Sequence, residues 1–203
     1  MSGRPYVVGV TGGIATGKSA VMAVLADLGA DRIDADLVYR ELIEPGQPLL
    51  ERLRDRFGDM VIDADGHLDR TALGSIVFDD PVKLRELDAM THPAVIEAIV
   101  ARVAHSEAEV VAVEAVKLIE SGMSSLCDET WLVVARPDLQ RARLTARAGL
   151  SGEEADSRLA AQPAEETRCH VADHVIVNSG SLEDLRRAVE ARWSTVPPVS
   201  HHL

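Results

Sequence analysis

The sequence predicts an α/β protein in which a parallel sheet is flanked by helices, and three observations carry that prediction. Short aliphatic and β-branched runs recur along the chain, separated by longer stretches of helical apolar spacing. The first run, Tyr6-Val7-Val8-Gly9-Val10-Thr11, leads directly into Gly12-Gly13-Ile14-Ala15-Thr16-Gly17-Lys18-Ser19. A helix candidate from Ser19 to Leu28 then completes a strand–loop–helix unit.

The stretch Gly12 to Ser19 satisfies the phosphate-loop pattern G-x-x-x-x-G-K-[ST] in full. Gly12, Gly13 and Gly17 let the backbone bend so that successive N–H groups face a phosphate, with Ile14, Ala15 and Thr16 between them. The helix contributes its positive end, Lys18 a charge, and Ser19 a hydroxyl for Mg²⁺. The competing reading is a glycine-rich turn that joins strand to helix and binds nothing. The pattern and its flanks together make this a P-loop NTPase-type sheet.

With 203 residues and 46% hydrophobic content, the chain can bury one sizeable α/β core. Aromatics make up only 3%, so that core has to be built from Val, Leu, Ile and Ala. The formal charge of −12 argues against nonspecific nucleic-acid or membrane binding, and it requires a polyanionic ligand to be met by a local cationic site. Cys127 and Cys169 are too few for a disulfide framework and lack metal-ligand spacing. No signal peptide or long apolar span is evident, and a cytoplasmic protein is expected.

Further along, Arg32-Ile33-Asp34-Ala35-Asp36 reads as a second strand entering a turn. On extended backbone Asp34 and Asp36 would project to one side, where a carboxylate could orient an attacking hydroxyl. Either aspartate could instead cap the helix candidate Leu37 to Ile43. From Leu37 to Ala104 the pattern is helical with interruptions, among them Pro45-Gly46, Gly58, Asp80-Pro81 and His92-Pro93. It reads as an insertion that recognises the acceptor substrate, or else as an elaborated helical layer; His92 could be a packed histidine.

Val110 to Glu114 reads as a buried strand, and Glu114 could lie near a metal's water shell or meet Lys117. After the strand Trp131 to Ala135, a helix from Pro137 to Ala148 opens a segment rich in Arg136, Arg141, Arg143, Arg147, Arg158 and Arg168. Arg143 and Arg147 share a helix face and suit a lid that neutralises a transferring phosphoryl group; a face paired with Glu153 and Glu154 is the alternative. Ser151 opens a capping-box helix, a last strand runs from Asp173 to Asn178, and Ser181 caps a final helix reaching about Trp193. The loop Asn178-Ser179-Gly180 is expected where a purine could rest, and the tail from Pro197 reads as frayed. One domain over 1–203 results, with a core at about 1–36, 105–135 and 170–195, an insertion at about 37–104 and a lid at about 136–169.

The opening Gly9 to Ile14 through Lys18-Ser19, the run Ile33 to Asp36, His92-Pro93, the later arginines and Ala172 to Gly180 together resemble the dephospho-coenzyme A kinase family, across roughly Val8 to Leu185. The resemblance implies transfer of the ATP γ-phosphate to the ribose 3′-hydroxyl of dephospho-coenzyme A. It implies that Asp34 engages that hydroxyl, that Lys18 and Ser19 meet phosphate and Mg²⁺, that Arg143 and Arg147 are lid arginines, and that Asn178 to Gly180 face adenine. Asp36 and His92 are further acceptor-side candidates. The chain departs from the family pattern at Ala15, where glycine is common, and across Glu114 to Glu120, where Lys117 replaces part of a proline-leucine-leucine-like run. Nucleoside or nucleotide kinases would use the same loop and lid. A non-kinase ATPase module is the reading from another class, while a guanine-specific switch lacks its Asn-Lys-x-Asp motif.

Overall fold

The computed structural model of this chain describes residues 4–162 and 165–197, and within them all side chains except those of 147, 148, 165 and 166. In order, the elements are β1 Tyr6–Gly12, α1 Lys18–Asp27, β2 Asp31–Asp34, α2 Ala35–Leu42, α3 Pro48–Phe57, α4 Arg70–Val77 and α5 Pro81–His105. They continue with β3 Val110–Glu114, β4 Glu129–Val134, α6 Pro137–Ala148, α7 Gly152–Ala160, α8 Glu165–Cys169, β5 His174–Val177 and α9 Leu182–Trp193. Of the tail from Pro197, read above as frayed, all but Pro197 itself lies outside the described residues.

The five strands form one sheet in the order β2-β3-β1-β4-β5. β1 runs parallel to β3 and to β4, and β5 parallel to β4, with Val10 opposite both Glu114 and Trp131. The middle strand β1 is buried almost from end to end, which is why its sequence is continuously apolar instead of alternating. Because its neighbours are parallel, the chain leaves β1, β3 and β4 at the same edge, the edge where such sheets bind ligands.

The chain divides into two compact units, one running to Ile33 and resuming at Val103, the other spanning Asp34–Arg102. In the first, Val21, Met22, Val24 and Leu25 of α1 and Leu185, Val189 and Trp193 of α9 pack with Val8, Val10, Ala112 and Trp131 of the sheet. The core is therefore mostly aliphatic, as the aromatic content requires. α1 ends in a Schellman motif: Ala30 N–H bonds to Leu25 O, Gly29 N–H to Ala26 O, and Gly29 sits at φ +100°.

The second unit buries Leu49, Leu50, Leu53 and Phe57 of α3, Leu73 and Val77 of α4, and Ile43, Val61 and Leu68. Here the structure corrects one expectation. His92-Pro93 does not interrupt a helix; Pro93 lies inside the single 25-residue helix α5. Leu84, Leu87, Met90 and Ala94 form one stripe against the unit's core, and Val95 and Ile99 further along the same helix are buried. An interior proline costs about 3 kcal/mol, whereas each large buried side chain returns about 1.5–3 kcal/mol, so the continuous stripe outweighs the local break. Among the described residues no helix is long and apolar enough to cross a membrane.

Candidate active site

The loop after β1 bends where its glycines allow. Gly17 precedes α1 at φ +97°, and a methyl group there would run into the Nδ2 of Asn178. Ala15 is the one non-glycine residue with positive φ among those described, at +58°. That conformation costs an L-residue roughly 1–2 kcal/mol. It also gives a physical reason for glycine being common at this position of the motif.

α1 starts without a side-chain cap and without an acidic residue in its first turn. Its N–H groups and the positive end of its dipole are thus presented to an anion. The Lys18 side chain is buried and folds back over the loop, its Nζ donating to Gly12 O and Gly13 O, both at 3.0 Å. Ser19 follows in the first turn with an exposed side chain, and its Oγ makes no hydrogen bond among the described residues. No group of three or more His, Cys, Asp or Glu among the described residues could hold a metal. A Mg²⁺ ion here fits only as one held by Ser19 together with phosphate oxygens and water, the set that Mg²⁺ favours.

Residues far away in the chain brace the loop from behind. The buried Asn178 donates from Nδ2 to Thr16 O at 2.8 Å. Arg143 donates from Nη1 to Ala15 O at 3.1 Å and Thr16 O at 3.2 Å, and from Nη2 to Asn178 O at 3.1 Å. The Ile14 N–H donates to the Oε1 of Gln162 at 2.8 Å. Two sequence expectations change as a result. The carboxamide of Asn178 is committed to the loop and to Arg143 rather than turned toward a base. Gly180 gives room to Asp184, whose carboxylate closes the capping box of α9; a methyl at Gly180 would lie 2.8 Å from Asp184 Oδ2. Arg143 is a fork that ties α6 to the loop. Gln162 gave no local signal in the sequence at all.

The other arginines separate by partner. Arg136 pairs with Asp138 at 2.5 Å and Arg141 with Asp156 at 2.7 Å, so neither uses Glu153 or Glu154. Arg168 is 4% exposed and meets Glu120 through both Nε and Nη2, at 2.8 and 2.6 Å. It holds α8 to the segment after β3 and is not a mobile charge. Arg147 belongs to α6, and its side chain lies outside the described residues. Glu114 ends β3 half-buried, while Lys117 is exposed. Burial pushes the Cys127 thiol up to about 12, and Asp128 adds to the shift.

In the second unit, Asp34 is the N-cap of α2, its Oδ1 accepting from Asp36 N at 2.9 Å and Leu37 N at 3.2 Å. The idea that both carboxylates project from one extended strand is therefore corrected. The strand ends at Asp34, and Asp36 lies in the first helical turn, because an aspartate at this point satisfies two otherwise orphaned N–H groups. Both bonds use Oδ1, and among the described residues Oδ2 accepts none. His92 faces Asp88 one turn earlier in α5, Nε2 to Oδ1 at 3.4 Å.

Comparison with known proteins adds identity to this geometry. The family described as dephospho-CoA kinase matches residues 6–184. A dephospho-CoA kinase of Symbiobacterium thermophilum is 45% identical over 190 residues, covering 92% of this chain and 80% of that protein. A crystal structure of a Thermus thermophilus protein superposes with a TM-score of 0.83 at 36% identity, covering 96% of this chain and 99% of that one. A dephospho-CoA kinase from Campylobacter jejuni gives a TM-score of 0.67 at 26% identity, with 95% and 98% covered. With the phosphate loop, its braces and these relatives in view, the chain belongs to the dephospho-CoA kinase family.

Proposed function

We propose that this chain transfers the γ-phosphoryl group of ATP to the ribose 3′-hydroxyl of dephospho-coenzyme A, giving coenzyme A and ADP. The observation that carries the reading is the uncapped start of α1 beside Lys18 and Ser19, a triphosphate site, in a chain of this family. Phosphoryl transfer passes through a loose transition state, so the protein's work is placement and charge neutralisation.

In this reading the loop from Gly12 to Gly17 wraps the phosphates with those of its N–H groups not already bonded within the protein, and Lys18 shifts from the loop carbonyls toward the β- and γ-phosphates. Ser19, with phosphate oxygens and water, would hold a Mg²⁺ ion, which would supply neutralisation of the charge on the transferring phosphoryl group. Asp34 keeps Oδ1 on the helix cap and uses Oδ2 to accept the proton of the attacking hydroxyl. Arg143 holds the loop in shape, and Arg147, one turn further along α6, is the lid arginine. Asp36 and His92 belong to the acceptor side, and the backbone of Asn178 to Gly180 borders the adenine. The same reading treats 34–102 as the acceptor-recognising part of one kinase and 136–169 as its lid, and puts the enzyme in the cytoplasm, where ATP is available.

The test is a product analysis. Purified protein is incubated with Mg-ATP and, separately, dephospho-coenzyme A, nucleosides and nucleoside monophosphates. Mass spectrometry should find a phosphate added to dephospho-coenzyme A alone. Phosphorylation of a nucleoside or nucleotide in its place, or release of phosphate to water only, overturns the proposal.

A further inference from the structure

Gln162 stands two residues beyond α7, and nothing in the reaction just described gives it a task. Its Oε1 accepts the N–H of Ile14 at 2.8 Å. Gly13 makes room for that contact, since a methyl at Gly13 would sit 2.8 Å from the same oxygen. The Gly13 carbonyl and the Ile14 N–H are two ends of one peptide unit. Lys18 holds the first at 3.0 Å and Gln162 holds the second, so this peptide is clamped from both sides.

The other half of the carboxamide is anomalous. The Nε2 of Gln162 is buried and, among the described residues, has no hydrogen-bond partner. A buried donor without an acceptor is destabilising, and native structures leave few of them unexplained. A loop that receives a triphosphate brings several strong acceptor oxygens to this neighbourhood, and the peptide Gln162 grips is the one on which the phosphate-seeking lysine rests.

We propose that Gln162 both shapes the phosphate loop and binds its ligand: Oε1 fixes the Gly13–Ile14 peptide, and Nε2 donates to the terminal phosphate of the bound triphosphate. The inference rests on the kinase reading above. Through this contact the segment after α7 distinguishes a triphosphate from a diphosphate, because only the former supplies the acceptor.

The test compares binding of ADP and of a non-hydrolysable ATP analogue by calorimetry, in the native protein and in Gln162→Met, alongside hydrogen exchange at the Ile14 amide. The native protein should bind both nucleotides; failure to bind either one overturns the phosphate-loop reading itself, not merely the role of Gln162. Gln162→Met should weaken the triphosphate analogue by about 10- to 100-fold, the worth of a hydrogen bond to a charged group, and ADP by no more than about threefold. The Ile14 amide of the free variant should exchange faster than in the native protein. Equal losses for the two nucleotides, or no loss, overturn the proposal, as does an unchanged Ile14 amide. If Gln162→Met does not fold, Gln162→Glu keeps the acceptor and removes the donor. It should retain Ile14 protection while losing preference for the triphosphate, and retained preference overturns the proposal equally.

Discussion

The phosphate loop and the turn at Asp34 are built in opposite ways. The loop is held from far off in sequence: Asn178 reaches Thr16 across 162 residues, Gln162 reaches Ile14 across 148, and Arg143 reaches Ala15 across 128. The Asp34 carboxylate is held by the N–H groups of Asp36 and Leu37, as the cap of the helix that follows it. A shape made by remote contacts is collective, so altering one brace should disturb nucleotide binding as a whole. A carboxylate held locally by one oxygen can be altered chemically while its place is kept. The donor side and the acceptor carboxylate should therefore respond to substitution with different kinetic signatures.

The largest effect is expected at Lys18. Lys18→Ala removes the charge proposed to meet the phosphates, and turnover should fall by about 10³-fold or more with the fold retained. Near-normal steady-state rates would remove the loop from the chemistry. Arg143→Lys is a finer probe of the collective side. Lysine keeps the charge but lacks the planar fork that spans Ala15, Thr16 and Asn178. The KM for ATP should rise by about tenfold, the equivalent of one charge-assisted hydrogen bond. An unchanged KM would reduce Arg143 to a bystander of the loop.

Ala15→Gly should act in the favourable direction. It releases the positive-φ strain, and thermal denaturation should show a gain of about 2–4 °C, corresponding to about 1 kcal/mol in a chain of this size. A fall in Tm would mean that the alanine rigidifies the loop more than it strains it. The smallest effect concerns the thiols. Cys127, with its thiol pushed up to about 12, stays protonated at pH 8, whereas Cys169 is exposed. A brief treatment with an alkylating reagent should label Cys169 in preference to Cys127 by peptide mass spectrometry; equal labelling of Cys127 would contradict the upward shift of its thiol.

What could be read from the sequence was local. The phosphate loop, the capping box at Ser151, the cap at Ser181, and the proline starts of α3 and α6 each depend on residues within one turn of each other. Pro93 misled for the complementary reason. Its local signal is a break, and only the packed stripe from Leu84 to Ile99 shows why the helix continues. Asp34 and Asp36 were ambiguous because capping and extended pairing predict the same residues, and the cap prevailed. Asn178 and Gln162 could not have been assigned their tasks. An isolated amide side chain carries no periodicity, and its meaning lies in a loop about 150 residues away in the chain.

Asp34→Asn tests the division between the two regions most directly. Asparagine caps a helix as well as aspartate does, so the start of α2 should survive while the proton acceptor is lost. ATP affinity by calorimetry and turnover with dephospho-coenzyme A should be measured on one preparation. Turnover is predicted to drop by about 10²- to 10⁴-fold while ATP affinity stays within about threefold of the native value. Turnover near the native rate, or parallel losses in affinity and turnover, would contradict the account and leave Asp34 as a helix cap alone.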